Sequence, residues 1–403
     1  MRKIFWLYIS AKSLLIFSDI LFIMTMTFFM YEETQSAAYA ALFPLIRTFC
    51  QLLSGFVSPV LTDRFGANRL LYSIPLVRLG LIFLFTIQFD LFQEHSSLLF
   101  VALILISIAG GIVSPLNQAI MPILIPADQL VKANGISSIL NQIVQVAGYS
   151  FTGVIVMFIG PAPTFGLTAI VTGTSYLLLL PILPMLKSEN TKQTAHAWQS
   201  MKEGWMAIWQ NKTIRTLTFM DFCENMAGAI WIGAITLVFV TQELGETKDW
   251  WGFINAAYYV GAILGGVVAA LLSRLIQKHL LINMAMGSII YAILTITYGF
   301  TAIPWVAIFL CILMGPAYQI RDVSQQTILQ TEAPVHLLSK VYAAHYVLSS
   351  VSVGLSVFMV GVIADIYGVR VVYILGGSFV LLCSSFAILY LLAKASITQK
   401  GSS

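Results

Sequence analysis

Charge is scarce in this sequence. Only 9% of its 403 residues are Asp, Glu, Lys or Arg, against roughly 25% in soluble domains. A water-soluble fold cannot cover so much apolar surface, so the scarcity excludes a soluble globular protein and places the chain in a membrane. Cysteine is equally sparse. Cys50, Cys223, Cys311 and Cys383 all lie in apolar runs, and none sits in a CxxC or Cys/His cluster. That supports neither a disulfide framework nor a zinc site, and the four read as small buried hydrophobes. The phosphate-cradling pattern G-x-x-x-x-G-K-[ST] is missing, so ATP is not a direct energy source for this chain. A serine nucleophile elbow and a cluster with metal-ligand spacing are missing too. The expectation is a protein that is not an enzyme and carries no cofactor and no metal. The N-terminus lacks a small-residue cleavage site after a short apolar core, so its first apolar run reads as a retained helix.

What is present is hydrophobic: 59% of the residues, with a mean hydropathy of +0.88. A membrane span needs about 20 mostly apolar residues. Twelve such runs can be marked: 4–30, 37–61, 70–89, 98–123, 133–158, 164–186, 214–241, 250–272, 281–300, 304–330, 341–363 and 371–393. The alternating segments of about ten residues that mark a membrane β-barrel are absent. The fold class expected is an all-α membrane protein with twelve transmembrane helices in two pseudo-symmetric six-helix bundles. The bundles would be 1–186 and 214–403, joined by a linker at 187–213. Within that linker "WQSMKEGWMAIWQN" (Trp198–Asn211) places Met201, Trp205, Ile208 and Trp209 at helical spacing. It reads as an amphipathic helix along the inner membrane surface.

Lys and Arg set the orientation. With the N-terminus inside, fifteen of the 21 basic residues fall on the inner side, Arg2, Lys187, Lys192 and Lys340 among them. Two, Lys248 and Arg370, fall outside, and four, Lys12, Arg47, Arg78 and Arg321, fall within spans. Both termini are therefore expected in the cytoplasm. The formal net charge of +4 is a topology signal and requires no nucleic-acid partner.

The chain repeats itself. Shifted by 208 positions, "NQAIMPILIPADQLVK" (Asn117–Lys132) lies over "QQTILQTEAPVHLLSK" (Gln325–Lys340). Pro126 meets Pro334, Lys132 meets Lys340, and further on Gly160 meets Gly368. "LLIFSD" (Leu14–Asp19) is matched by "TLTFMD" (Thr216–Asp221) at an offset of 202. A parallel six-plus-six repeat puts a substrate site between the halves near the midplane.

Between spans 2 and 3 the chain reads "PVLTDRFGANRLL" (Pro59–Leu71). This resembles the loop signature G-x-L-A-D-R-x-G-R-K of the major facilitator superfamily, with Asp63, Arg64 and Gly66 in place and Arg69 as the remaining basic residue. The corresponding second-half loop, "LLSRLIQKHLL" (Leu271–Leu281), has Ser273 where an Asp would stand. Physically, an acid and an arginine on a short inner turn can clamp helix ends in one conformation and release them in another. A narrower resemblance runs through "IPADQLVKANGISSILNQIVQVAG" (Ile125–Gly148) and "MKEGWMAIWQNKTIRTL" (Met201–Leu217), which look like the exporter branch of macrolide efflux pumps and the enterobactin exporter. That resemblance implies a bacterial inner-membrane exporter of bulky amphipathic compounds, driven by protons. Two features depart from the pattern. The span 5 signature G-P-x-x-G-G reads "GYSFTG" (Gly148–Gly153), and Ile106 stands nearest the place of the usual span 4 arginine.

Charges at the bilayer centre are costly and normally face protein or a wet cavity. Lys12 lies near enough to the inner face to snorkel. Seven more fall within spans: Asp19, Arg47, Arg78, Asp221, Glu224, Arg321 and Asp322. Asp19 lies about 22 Å into span 1 at ~1.5 Å per residue, a depth that permits a pair with Arg47. Arg321 and Asp322 form a second possible set. Asp221 and Glu224 are i, i+3 neighbours, so one of them more readily holds a proton, and paired acids also suit a cationic substrate. Asp19, Arg47, Asp221, Glu224, Arg321 and Asp322 are thus candidates for proton coupling, the alternative being permanent structural ion pairs. His345 is a candidate relay or a satisfied core histidine.

Polar stripes at helical spacing complete the reading. Asn117 and Gln118 belong to span 4, Asn141, Gln142 and Gln145 to span 5, Asn225 to span 7, and Tyr318, Gln325 and Gln326 to span 10. Lipid rejects such faces, so they point inward, either lining a substrate cavity or bonding helix to helix. The partners expected are a small amphipathic substrate, protons as coupling ion and membrane lipids, with the chain a monomer. Two readings stay open on this scaffold: proton-driven export of a drug, macrolide or siderophore, and flipping of a lipid or lysolipid.

Overall fold

Single residues write the helix boundaries. The computed structural model describes residues 3–94, 96–186, 197–231 and 233–400; Arg2, Lys187 and Lys192 of the orientation argument lie outside them. The first half runs α1 (Lys3–Thr34), α2 (Ala37–Phe65), α3 (Ala67–Ile87), the short α4 (Phe89–Glu94), α5 (Ser96–Leu124), α6 (Leu130–Ile159) and α7 (Pro161–Leu179). The Ser36 hydroxyl caps α2 by accepting from the Tyr39 amide at 3.5 Å, satisfying one of the amides a helix start leaves open. α6 and α7 are separated by Gly160 alone, at φ +81°, with Pro161 at the first turn of α7. Gly368, its match at the 208 offset, has φ +86°. Only glycine adopts that left-handed conformation without strain, so the repeat is preserved here in backbone geometry as well as in sequence.

The second half runs α8 (Ala197–Gln210), α9 (Lys212–Gly228), α10 (Gly233–Gln242), α11 (Asp249–Leu271), the short α12 (Ser273–Lys278), α13 (Leu280–Phe300), α14 (Pro304–Glu332), α15 (Leu338–Tyr367) and α16 (Val369–Lys400). Asn211 caps α9, its side-chain oxygen accepting from the amides of Thr213 at 2.9 Å and Ile214 at 3.2 Å. No strand occurs among the described residues. Among the described residues eleven helices are long and apolar enough to cross a membrane, twelve if a bent pair counts as one span. That pair covers the seventh span expected at 214–241. α9 with its short 3₁₀ continuation ends at Trp231, and α10 leaves at 52° to it. Gly228 and Gly233 flank the break, and glycine is the residue that lowers helix stability most after proline.

The helices gather into two compact units. One comprises Met1–Pro126, Leu140–Ala207 and Pro334–Val347, the other Ala127–Ile139, Ile208–Ala333 and Leu348–Ser403. α6 thus begins in the second unit and ends in the first, and α15 does the reverse. These are the two helices that the 208 offset superposes. The first unit packs around interlocked phenylalanines, Phe22, Phe85, Phe89 and Phe165, with ring centroids 4.8–6.2 Å apart. The second packs Trp231, Phe239, Tyr298 and Tyr373 together at 4.8–5.2 Å. Edge-to-face rings hold position as well as bury area.

α8 has two distinct faces. Ser200, Gly204 and Ile208 are buried, while Trp209, of the apolar stripe Met201, Trp205, Ile208 and Trp209, is 65% exposed. The buried face makes a close backbone approach: a Cβ on Gly204 would collide with the Lys340 carbonyl oxygen. Small residues at i and i+4 let α8 lie against α15 where a large side chain could not. Gly204→Val is expected to lower the unfolding midpoint in detergent, by the 1–3 kcal/mol typical of overpacking. Ser200→Ala, which removes only a hydroxyl, should change it far less.

Candidate functional site

A dense polar cluster lies within the second unit. The i, i+3 spacing of Asp221 and Glu224 on α9 turns both carboxylates toward one residue of α14. Arg321 donates from Nη2 to Asp221 Oδ1 at 2.9 Å and stands 2.6 Å from Glu224 Oε2. One turn further along α14, Gln325 donates from Nε2 to the same Asp221 oxygen at 3.0 Å. The other Asp221 oxygen accepts from Asn225 at 2.9 Å and from the Ser349 hydroxyl of α15 at 3.1 Å. The Ser288 hydroxyl of α13 donates to Glu224 Oε1. Arg321, Glu224 and Asp221 side chains are 5%, 11% and 12% exposed. Asp322 stands 4.0 Å from the same guanidinium and is 32% exposed.

A cavity of about 160 Å³ opens beside this cluster, bounded by Glu224, Arg321, Trp231, Tyr258, Tyr291 and Tyr318. Of the amides expected to line a substrate cavity, Asn225 and Gln325 are drawn onto Asp221, and Tyr318 borders the cavity. Gln326 is half-buried on α14.

The first unit holds the other charged centre. Arg47 of α2 donates to Asp19 Oδ2 at 3.3 Å, the pair that their depths permit. Arg78 of α3 donates to the second carboxylate oxygen, and its side chain is only 8% exposed. A depth count leaves Arg78 about 10 Å short of Asp19 at ~1.5 Å per residue. The long arginine stem closes that gap, which counting along helices does not register. Repeat-related acids therefore sit in unlike surroundings. Asp19 is one carboxylate between two guanidiniums, a formal +1. Asp221 and Glu224 are two carboxylates on one guanidinium, a formal −1 before Asp322 is counted.

Elsewhere in the first unit Asn117 accepts a hydrogen bond from the Tyr8 hydroxyl on its backbone oxygen at 2.7 Å. The side-chain oxygens of Asn117 and Asn141 are buried with no donor among the described residues, while Gln118, Gln142 and Gln145 are half-buried. His345 is half-buried on α15.

The loop motif between α2 and α3 joins its acid to a cation far away in the sequence. Asp63 does not pair with its neighbour Arg64, whose guanidinium lies over the Phe65 ring at 5.3 Å. Its partner is Lys340 at the start of α15, 2.7 Å away, and the same ammonium lies 2.5 Å from Glu203 of α8. On a helix terminus, neighbours in sequence point around the axis, so Asp63 faces the bundle while Arg64 and Arg69 are exposed. Gly66, at φ +83°, makes the turn into α3. In the second half Ser273 replaces the acid, and Lys132, the match of Lys340, stays exposed. Lys340→Met is expected to destabilise the protein by about 3 kcal/mol, since it leaves Asp63 and Glu203 without their common cation. The check is thermal unfolding with Asp63→Asn/Glu203→Gln/Lys340→Met beside it; removing all three charges should restore most of the loss.

Comparison with known proteins bears on what this arrangement serves. Residues 9–357 match the family model described as Major Facilitator Superfamily. The chain is 32% identical over 389 residues to the "uncharacterized MFS-type transporter YfmI" of Bacillus subtilis (strain 168), covering 94% of each. Among solved structures it resembles a bacterial homologue of the iron transporter ferroportin, at 12% identity and a TM-score of 0.78, covering 96% of this chain and 99% of that one. It likewise resembles the E. coli fucose:proton symporter FucP, at 13% identity and a TM-score of 0.72, covering 95% and 98%.

Proposed function

The chain belongs to the major facilitator superfamily, and from that premise we propose that it exports a bulky amphipathic compound, such as a drug, macrolide or siderophore, in exchange for protons by alternating access. One observation carries the reading: two buried carboxylates share the single Arg321 guanidinium. A proton taken up there brings the cluster from −1 to neutral. A proton taken up at Asp19 would bring its cluster from +1 to +2, which is costly away from water. Glu224, held by Arg321 and Ser288, is the coupling residue in this reading, and Asp221 with its four donors is the fixed partner. Asp19 with Arg47 and Arg78 is structural. The exporter-branch motifs quoted above support the direction of transport, and FucP, a fucose:proton symporter of similar fold, supports proton coupling on this fold. The protein acts as a monomer in the bacterial inner membrane with both termini in the cytoplasm, and Asp63, Lys340 and Glu203 form a latch at that face.

The test is transport by purified protein in liposomes preloaded with a cationic amphipathic dye such as ethidium. An inward proton gradient should speed dye efflux, and equilibrating the pH should abolish the acceleration. Acceleration of dye movement in the same direction as the protons would contradict antiport.

A further inference from the structure

The cavity beside Arg321 has walls that its size and charge do not explain as packing. It measures about 160 Å³, the share of about five liquid waters at ~30 Å³ each. Pockets that enclose drug-sized ligands begin at about 300 Å³. The space as it stands matches a head group of about five to seven non-hydrogen atoms rather than a whole bulky substrate. Four aromatic rings border the space. Trp231 and Tyr258 lie nearly parallel, 18° apart with centroids at 6.4 Å, and Tyr291 and Tyr318 meet at 5.6 Å. The charged lining comprises two carboxylates and one guanidinium, a net negative wall. Negative charge and ring faces together attract a cation, above all one whose methyl groups shed water easily.

Two donors point to a second feature. Trp231 Nε1 and Arg321 Nε are buried and have no acceptor among the described residues, although both residues border the cavity. Buried N–H groups rarely go unpaired. Both nitrogens are covered in this conformation; a small turn of either side chain on binding would bring it to an oxygen on the ligand, a few bonds from the cationic nitrogen. A bare alkylammonium lacks that oxygen; a choline-like group or an amino alcohol has it.

We propose that this cavity is the head-group site of the substrate, and that the exported compound carries a tertiary or quaternary ammonium with a hydroxyl or carbonyl oxygen close by. The proposal rests on the export reading for the word substrate, but the binding site stands on the cavity alone. The rings fix where the nitrogen goes, Glu224 faces its charge, and the apolar remainder of the compound lies outside.

The experiment is a binding titration with purified protein in detergent at one fixed pH, read by the shift in unfolding midpoint. The probes are choline, tetramethylammonium and 3,3-dimethylbutan-1-ol, the uncharged carbon isostere of choline. Choline is expected to stabilise saturably, and the isostere to need at least about tenfold more for the same shift, equivalent to 1.4 kcal/mol. Tyr258→Leu should lose choline binding and Tyr258→Phe should retain it. Trp231→Phe should keep the preference for charge but lose the preference of choline over tetramethylammonium. Equal binding of the isostere, or unchanged choline binding in both Tyr258→Leu and Trp231→Phe, would overturn the proposal. No gradient is present, so the outcomes separate. Choline binding without proton-driven transport would sink the export reading alone; proton-driven transport without choline binding would sink this one alone.

Discussion

Arg321→Ala is expected to produce the largest loss of stability of any single substitution in the second unit. It strands Asp221 and Glu224, 12% and 11% exposed, with no cation between them. Breaking a buried pair by removing one partner costs about 3–5 kcal/mol, because the remaining charge stays desolvated; here two charges remain. The loss should appear as a lower unfolding midpoint in detergent, accompanied by loss of transport. Arg321→Lys should recover only part of it. An ammonium carries the charge, but both carboxylates are met by Nη2 at the tip of the arginine, and the lysine nitrogen sits on a stem of different length and shape. Replacing all three groups, as Asp221→Asn/Glu224→Gln/Arg321→Met, should return much of the stability and none of the transport. That combination separates the scaffold role of the cluster from its working role. If the triple variant transported normally, the cluster would be structural only.

Glu224→Gln is expected to leave the fold intact and uncouple transport. The amide is nearly isosteric and still accepts from Ser288, so Asp221 keeps Arg321 and its remaining donors. What disappears is a group able to change charge. Gradient-driven dye efflux should fall by at least about tenfold, a change of about 1.4 kcal/mol, and lose its pH dependence. Exchange of dye for dye at equal pH should persist. Asp19→Asn should do the opposite. It leaves Arg47 and Arg78 facing each other without their carboxylate and lowers stability, while the protein that remains folded stays coupled. Loss of coupling in Asp19→Asn with retention in Glu224→Gln would reverse the assignment of the two centres.

The fold was legible in the sequence because membrane spans are constrained by length and apolarity alone, which composition reports directly. The repeat was legible as well, since loop residues such as Gly160 and Gly368 must keep a turn that few residues can make. What sequence spacing does not carry is side-chain reach and azimuth. Arg78 was visible as an intramembrane charge, yet nothing along the chain joined it to Asp19. Ser288 is one serine in an apolar run and gives no signal until α13 is placed against α9. Asp63 was legible as a motif, but its partner lay 277 positions away in Lys340. On α8 the apolar stripe was legible, but the close approach to α15 was not, because it is made by Gly204, which carries no side chain. The break between α9 and α10 is a local event in a run whose hydropathy continues without interruption.

The most direct test of the account is a proton count. Purified protein in weakly buffered detergent solution, with a pH-sensitive dye outside the micelle, is given saturating ethidium. The account predicts proton release from the wild type, an equal release from folded Asp19→Asn, and none from Glu224→Gln. Release from Glu224→Gln matching that of the wild type would contradict it.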